Sequence, residues 1–216
     1  MRLVVPKVAD FAVTGDGSAA QWGRLPWQPL TRVGATPCAY STRGKVLYSA
    51  TGLYFLCDCE DRRLTCTKTA DFDNIFQEDV IEVFLWPNEE QDLYFEYEIS
   101  PLNVELPILV PNHKGAFMGW RPWHYENERL TRKATSTRGG PKAPMAQVDG
   151  WMAEFFLPFA LFRGLGNNPP MPGGQWRGNL YRIDYDSGPA AQWAWCPDTG
   201  TNFHGFRQFG TLEFGA

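Results

Sequence analysis

Glu82, Glu96 and Glu98 sit at alternate positions of two short runs, DVIEVFLW (79–86) and LYFEYEI (93–99). An extended chain points successive side chains to opposite faces. Val80, Glu82 and Phe84 therefore share one face, and Tyr94, Glu96 and Glu98 share one. Ile81, Val83 and Leu85, with Phe95, Tyr97 and Ile99, form the apolar backs of the two runs. A third run, WMAEFFL (151–157), sets Met152, Glu154 and Phe156 opposite Trp151, Ala153, Phe155 and Leu157. If the three runs are neighbours, Glu82, Glu96, Glu98 and Glu154 converge on one sheet face, joined by Arg182 and Asp184 from a fourth. Carboxylates so gathered can accept hydrogen bonds from hydroxyl groups, and a pair of them is the machinery of glycoside hydrolysis. Glu96 and Glu98, two residues apart, have the spacing of such a pair, but carboxylates spaced this way are common, and no second-domain scaffold accompanies them.

Two readings of that face stay open. Acids opposite a core face are ordinary in an antiparallel sandwich with one solvated side. The large apolar neighbours Tyr94, Phe84, Met152 and Phe156 favour a half-covered cleft. Rings for C–H faces beside carboxylates for hydroxyls are what a sugar requires. His204, next to Phe203, is positioned to bond a ligand hydroxyl. The densest aromatic stretch, MGWRPWHY (118–125), offers Trp120, Trp123 and Tyr125 as further platform, or as a loop packed over a sheet edge.

The elements that must position these residues are short strands. Alternating runs at 53–59, 79–86, 93–99, 130–138, 151–157, 180–185 and 210–214 are separated by turn residues, among 21 Gly and 17 Pro. No window has the 3.6-residue period of an amphipathic helix, and one helical turn is expected at 158–162. Trp193 and Trp195 are expected in the core, with Cys196 opposite. The pattern predicts an all-β, two-sheet antiparallel β-sandwich over 1–216 as one domain.

The net charge of −4 and the scattered 20 Lys and Arg argue against nucleic acid as a partner. No run approaches the length of a membrane span. The N-terminus has no secretory signal, so the chain is either cytoplasmic or the processed part of a secreted or periplasmic protein. The five cysteines, an odd number, leave at least one unpaired and read as small buried apolar groups. The acidic turns at 58–61 and 71–74 offer oxygen ligands for a structural calcium. Haem binding would need an inward His or Met pair, such as Met118 with His113 or Met145 with a histidine.

Segments along the whole chain resemble the family 9 carbohydrate-binding modules and their family-9-like relatives. They are Trp22 after Asp16-Gly17, the strand opening at Leu53-Tyr54-Phe55, DNIFQEDVIEVFLWP (73–87), YFEYEISPLN (94–103), GWRPWHYE (119–126), GWMAEFFLPF (150–159), QWRGNLYRID (175–184) and NFHGFRQFGTLEF (202–214). The resemblance implies a two-sheet sandwich that binds a glycan without catalysis, beside an appended or co-secreted glycoside hydrolase. It implies two tryptophans enclosing the sugar, at positions that are Phe76 and Phe203 here. A sugar-bonding glutamate of the family matches Glu82. Its arginine falls at Glu96, its glutamine at Tyr181 and its asparagine at Gly200, so the polar contacts differ.

Overall fold

The computed structural model describes residues 1–123 and 126–215. Its strands are β1 (Arg2–Val5), β2 (Gln28–Pro29), β3 (Thr31–Val33), β4 (Thr42–Tyr48), β5 (Gly52–Glu60), β6 (Val80–Trp86), β7 (Leu93–Ile99) and β8 (Glu105–His113). They continue with β9 (Ala116–Phe117), β10 (Arg121–Pro122), β11 (Arg132–Arg138), β12 (Gly150–Pro158), β13 (Gln175–Asp184), β14 (Ala191–Ala194) and β15 (Gly210–Phe214). The longest helical element among the described residues is the 3-10 turn Phe159–Phe162, so none is long and apolar enough to cross a membrane.

Two sheets pack face to face. The larger runs β1-β15-β13-β6-β7-β8-β10, with β14 and β3 continuing from β13 and β9 from β8; the smaller runs β11-β12-β5-β4-β2. Pairing is antiparallel except between β1 and β15. The expected strands all form, while β1, β2, β3, β4, β8, β9, β10 and β14 join them unforeseen. Pro107 and Pro111 obscure β8 in sequence. Their carbonyls accept from Trp123 and Met118, so both residues turn their missing N–H toward the short outer strands and away from the β7 ladder.

The apolar backs of the strands fill the space between the sheets. Val83, Leu85, Phe95, Tyr97 and Ile99 of one sheet meet Phe55, Trp151, Phe155 and Leu157 of the other, and Trp193, Trp195 and Cys196 belong to the same core. All five cysteines are free, and all but Cys38 are buried.

The outer faces are covered too. On the smaller sheet Trp22 caps Tyr54, Leu56 and Phe156. On the larger, Phe203, Phe206 and Phe209 from the chain before β15 lie on Phe84, Tyr94 and Tyr181. A solvated outer face, one of the two readings of the acids, is therefore not what forms: Glu82, Glu96 and Glu98 are at most 4% exposed.

Candidate functional site

The register of β6 and β7 places Glu82 directly opposite Glu98, and Phe84 opposite Glu96. The three carboxyl groups meet at the base of a cavity of about 360 Å³ on the outer face of the larger sheet. One oxygen from each lies within 4.8 Å of the other two. Phe76, from the turn before β6, and Trp120 form one wall, their rings edge to face at 6.3 Å. Phe117, half exposed, forms another, stacked on His204 at 4.2 Å.

Phe203 and His204 complete the opposite side. Phe203 lines the same cavity as Phe76, but only 7% of it is exposed. One of its faces is taken by Tyr181, stacked beneath it at 3.9 Å. Phe203 is thus a fixed wall and not the open platform expected from sequence. Tyr181 supports it without reaching the cavity; its hydroxyl donates to Thr199 Oγ1 and to the Phe203 carbonyl.

Three more site expectations fail, each for a geometric reason. Arg182 points the other way from Tyr181, its neighbour on β13, and enters the space between the sheets. There it bonds Asp61 Oδ2 at 3.0 Å, Asp184 Oδ2 at 2.8 Å and Thr42 Oγ1 at 3.0 Å, with the Trp193 ring 4.9 Å away. Glu154 is in the smaller sheet, because β12 pairs with β5 and β11. It accepts from Trp22 Nε1 and from the backbone N–H groups of Thr14 and Gly15, fastening the N-terminal segment. Trp123 packs at a sandwich edge, donating from Nε1 to the Leu161 carbonyl, and borders a separate small cavity. Tyr125 and His124 lie outside the described residues.

The other candidates are also placed. The acidic turns meet cations of the chain: Asp58 pairs with Arg43 and Arg138, Asp61 with Arg182, and Asp71 with Lys133. Met118 and Met145 are exposed at the surface, as is His113, so neither haem pairing faces inward. Phe117, Tyr185 and Asn202 were missed as cavity residues. Phe117 adjoins the aromatic stretch and Asn202 adjoins Phe203; those adjacencies were the signals available. Tyr185 carried none, and its hydroxyl bonds the Phe76 carbonyl, holding that turn in place.

Burial dominates the electrostatics of the cavity. It pushes the Glu82 carboxyl up to about 8, and raises Glu96 and Glu98 well above the usual range, with their mutual repulsion adding to it. The chain supplies no hydrogen-bond donor, among the described residues, to Oε2 of Glu96 or of Glu98. Among the described residues, no Lys or Arg lines the cavity. His204 shares a 2.7 Å hydrogen bond with the Tyr94 hydroxyl and is held neutral at pH 7, its pKa lowered to about 4 by burial.

A folded-state pKa above the unfolded one means stability that is complete below about pH 4.5 and lost as pH rises toward 8. Glu82→Gln cannot ionise. It is expected to match the parent at pH 4 and to exceed it by more than about 1 kcal/mol at pH 8 in urea unfolding of the ligand-free protein. Equal stability at pH 8 would contradict the burial argument.

Residues 13–107 match the family profile described as carbohydrate family 9 binding domain-like. The sequence matches no curated protein. Among solved structures, a proposed carbohydrate-binding protein from Bacteroides uniformis is similar, with a TM-score of 0.77, 18% identity, and coverage of 99% of this chain and 98% of that one. A family 9 module from Caldicellulosiruptor kristjanssonii, solved with cellotriose, gives a TM-score of 0.69 at 16% identity, covering 100% of this chain and 94% of that one. A structure of such a module from the same organism with glucose gives 0.68 at 17%, covering 100% and 97%. At these identities the structural likeness is one of fold. The chain carries the family 9 carbohydrate-binding-domain-like sequence over residues 13–107 and, along its whole length, the two-sheet sandwich of the family 9 modules.

Proposed function

We propose that this domain binds a carbohydrate, without catalysing a reaction on it, in the cavity between the Phe76–Trp120 wall and the His204 side. The observation that carries this reading is the meeting of rings and carboxyl groups in one cavity. Phe76, Trp120 and Phe117 offer apolar faces to sugar C–H groups, and Glu82, Glu96 and Glu98 offer acceptors to hydroxyls. Its volume falls within the range of small-molecule sites. The family match and the sugar-bound family 9 neighbours support the same class of ligand.

The non-catalytic part of the reading rests on spacing. Glycosidases hold their two carboxyl groups about 5 Å or more apart, across the bond to be cut. Here the acids among the described lining residues are a single cluster, Glu82, Glu96 and Glu98, with no separate acid to flank a bound sugar from another wall. In such a role the domain would keep a glycoside hydrolase, appended or co-secreted, near its polysaccharide.

Titration of the protein against a panel of oligosaccharides, followed by calorimetry, tests the proposal. Saturable binding of at least one glycan is expected. Absence of binding across neutral, acidic and amino glycans would overturn it, and turnover of any of them would remove its non-catalytic part.

A further inference from the structure

We propose that the sugar preferred by this cavity carries a free ammonium group, an amino sugar whose nitrogen is not acylated, seated on Glu82, Glu96 and Glu98. The inference rests on the carbohydrate reading and names its ligand class. An ammonium has three N–H donors. Placed about 2.8 Å from three acceptors in tetrahedral directions, it spaces them about 4.6 Å apart. Each of the three carboxyl groups here brings an oxygen to within 4.8 Å of the other two, near enough for one ammonium to reach all three. A sugar hydroxyl brings a single donor and cannot answer all three.

Among the described residues the cavity also has no cation of its own. None of its lining residues is Lys or Arg, and buried His204 stays neutral. Glu96 and Glu98 are 4% and 1% exposed, line the cavity, and each leaves Oε2 without a donor from the described chain. Burial keeps protons on these acids while the cavity is empty, and a ligand that brings positive charge favours their ionised, hydrogen-bond-accepting form. The walls fit an organic cation in particular. Phe76, Trp120 and Phe117 present aromatic faces, whose negative quadrupoles attract an ammonium. A calcium ion would instead seek six to eight oxygen ligands and make no use of rings.

The test is calorimetric titration of the chelator-treated protein with the glucosamine trimer, its N-acetylated form, cellotriose and calcium chloride. The glucosamine trimer is expected to bind at least about tenfold more tightly than either neutral trimer at low salt. Glu98→Gln, shown by its melting curve to be folded, is expected to bring that ratio close to one. Cellotriose binding as tightly as the glucosamine trimer would overturn the inference and leave the carbohydrate reading standing. Failure of every sugar would remove both. Calcium binding that disappears in Glu98→Gln would overturn the inference in favour of a metal site.

Discussion

Replacing Arg182 by methionine is expected to lower the unfolding free energy by about 3 to 5 kcal/mol at neutral pH. Methionine keeps much of the aliphatic stem and removes the charge. The guanidinium is fully buried between the sheets and bonds Asp61, Asp184, Thr42 and the Glu60 carbonyl. Around it burial holds the Asp61 carboxyl up to about 7 and the Asp79 carboxyl up to about 9. Without Arg182 these acids face one another with no countercharge, and the Glu60 carbonyl and Thr42 hydroxyl lose a donor. Asp61→Asn added to Arg182→Met is expected to recover part of the loss, because it deletes one of the stranded acids. Urea unfolding of the single and double variants measures both effects. A loss under about 1 kcal/mol for the single variant would show that the acids protonate at little cost.

The second large effect belongs to binding. Phe76→Ala with Trp120→Ala is expected to weaken the best-bound oligosaccharide by about 2 to 4 kcal/mol, roughly 30-fold to 1000-fold. The two rings form one wall, edge to face, and both are partly exposed. Removing them deletes apolar area that a sugar face would cover. Folding should change little, since neither ring belongs to the fully buried set. Phe203→Ala is a poorer test. That ring is 7% exposed and stacked on Tyr181, so its loss would disturb packing as well as binding. Calorimetric titration of the double variant, with its melting curve as a control, separates the two. Unchanged affinity would place the sugar elsewhere.

How much of the site could be read from sequence differs from residue to residue. The two-residue period of 80–86 and 93–99 was enough to put Glu82, Glu96 and Glu98 on one side, and antiparallel pairing of consecutive strands did the rest. Parity also bears on β13, where the adjacent Tyr181 and Arg182 must take opposite faces. The expectation that both reach one site conflicted with that rule, and the structure follows the rule. Alternation says which face a residue takes but not which sheet its strand joins. Glu154 therefore looked equivalent to Glu82 and lies instead on the far side of the sandwich.

The loops were less legible because no period governs them. Trp120 and Trp123 are three residues apart in a Gly- and Pro-containing segment, yet one walls the cavity and the other closes an edge against Leu161. The near burial of Phe203 follows from how the segment carrying Phe206 and Phe209 lies down on Phe84 and Tyr94. That is a long-range packing outcome with no local signal. The burial of the carboxyl triad depends on the same cover, so sequence left both the cleft and the solvated face open.

The most direct measurement is a crystal structure of the protein with its tightest oligosaccharide. The account predicts a sugar ring resting against Phe76 and Trp120, with polar groups within hydrogen-bond distance of Glu82, Glu96 or Glu98. Density for the sugar in the cavity beside Trp27, Arg43 and Arg138 on the smaller sheet, with the triad untouched, would contradict it.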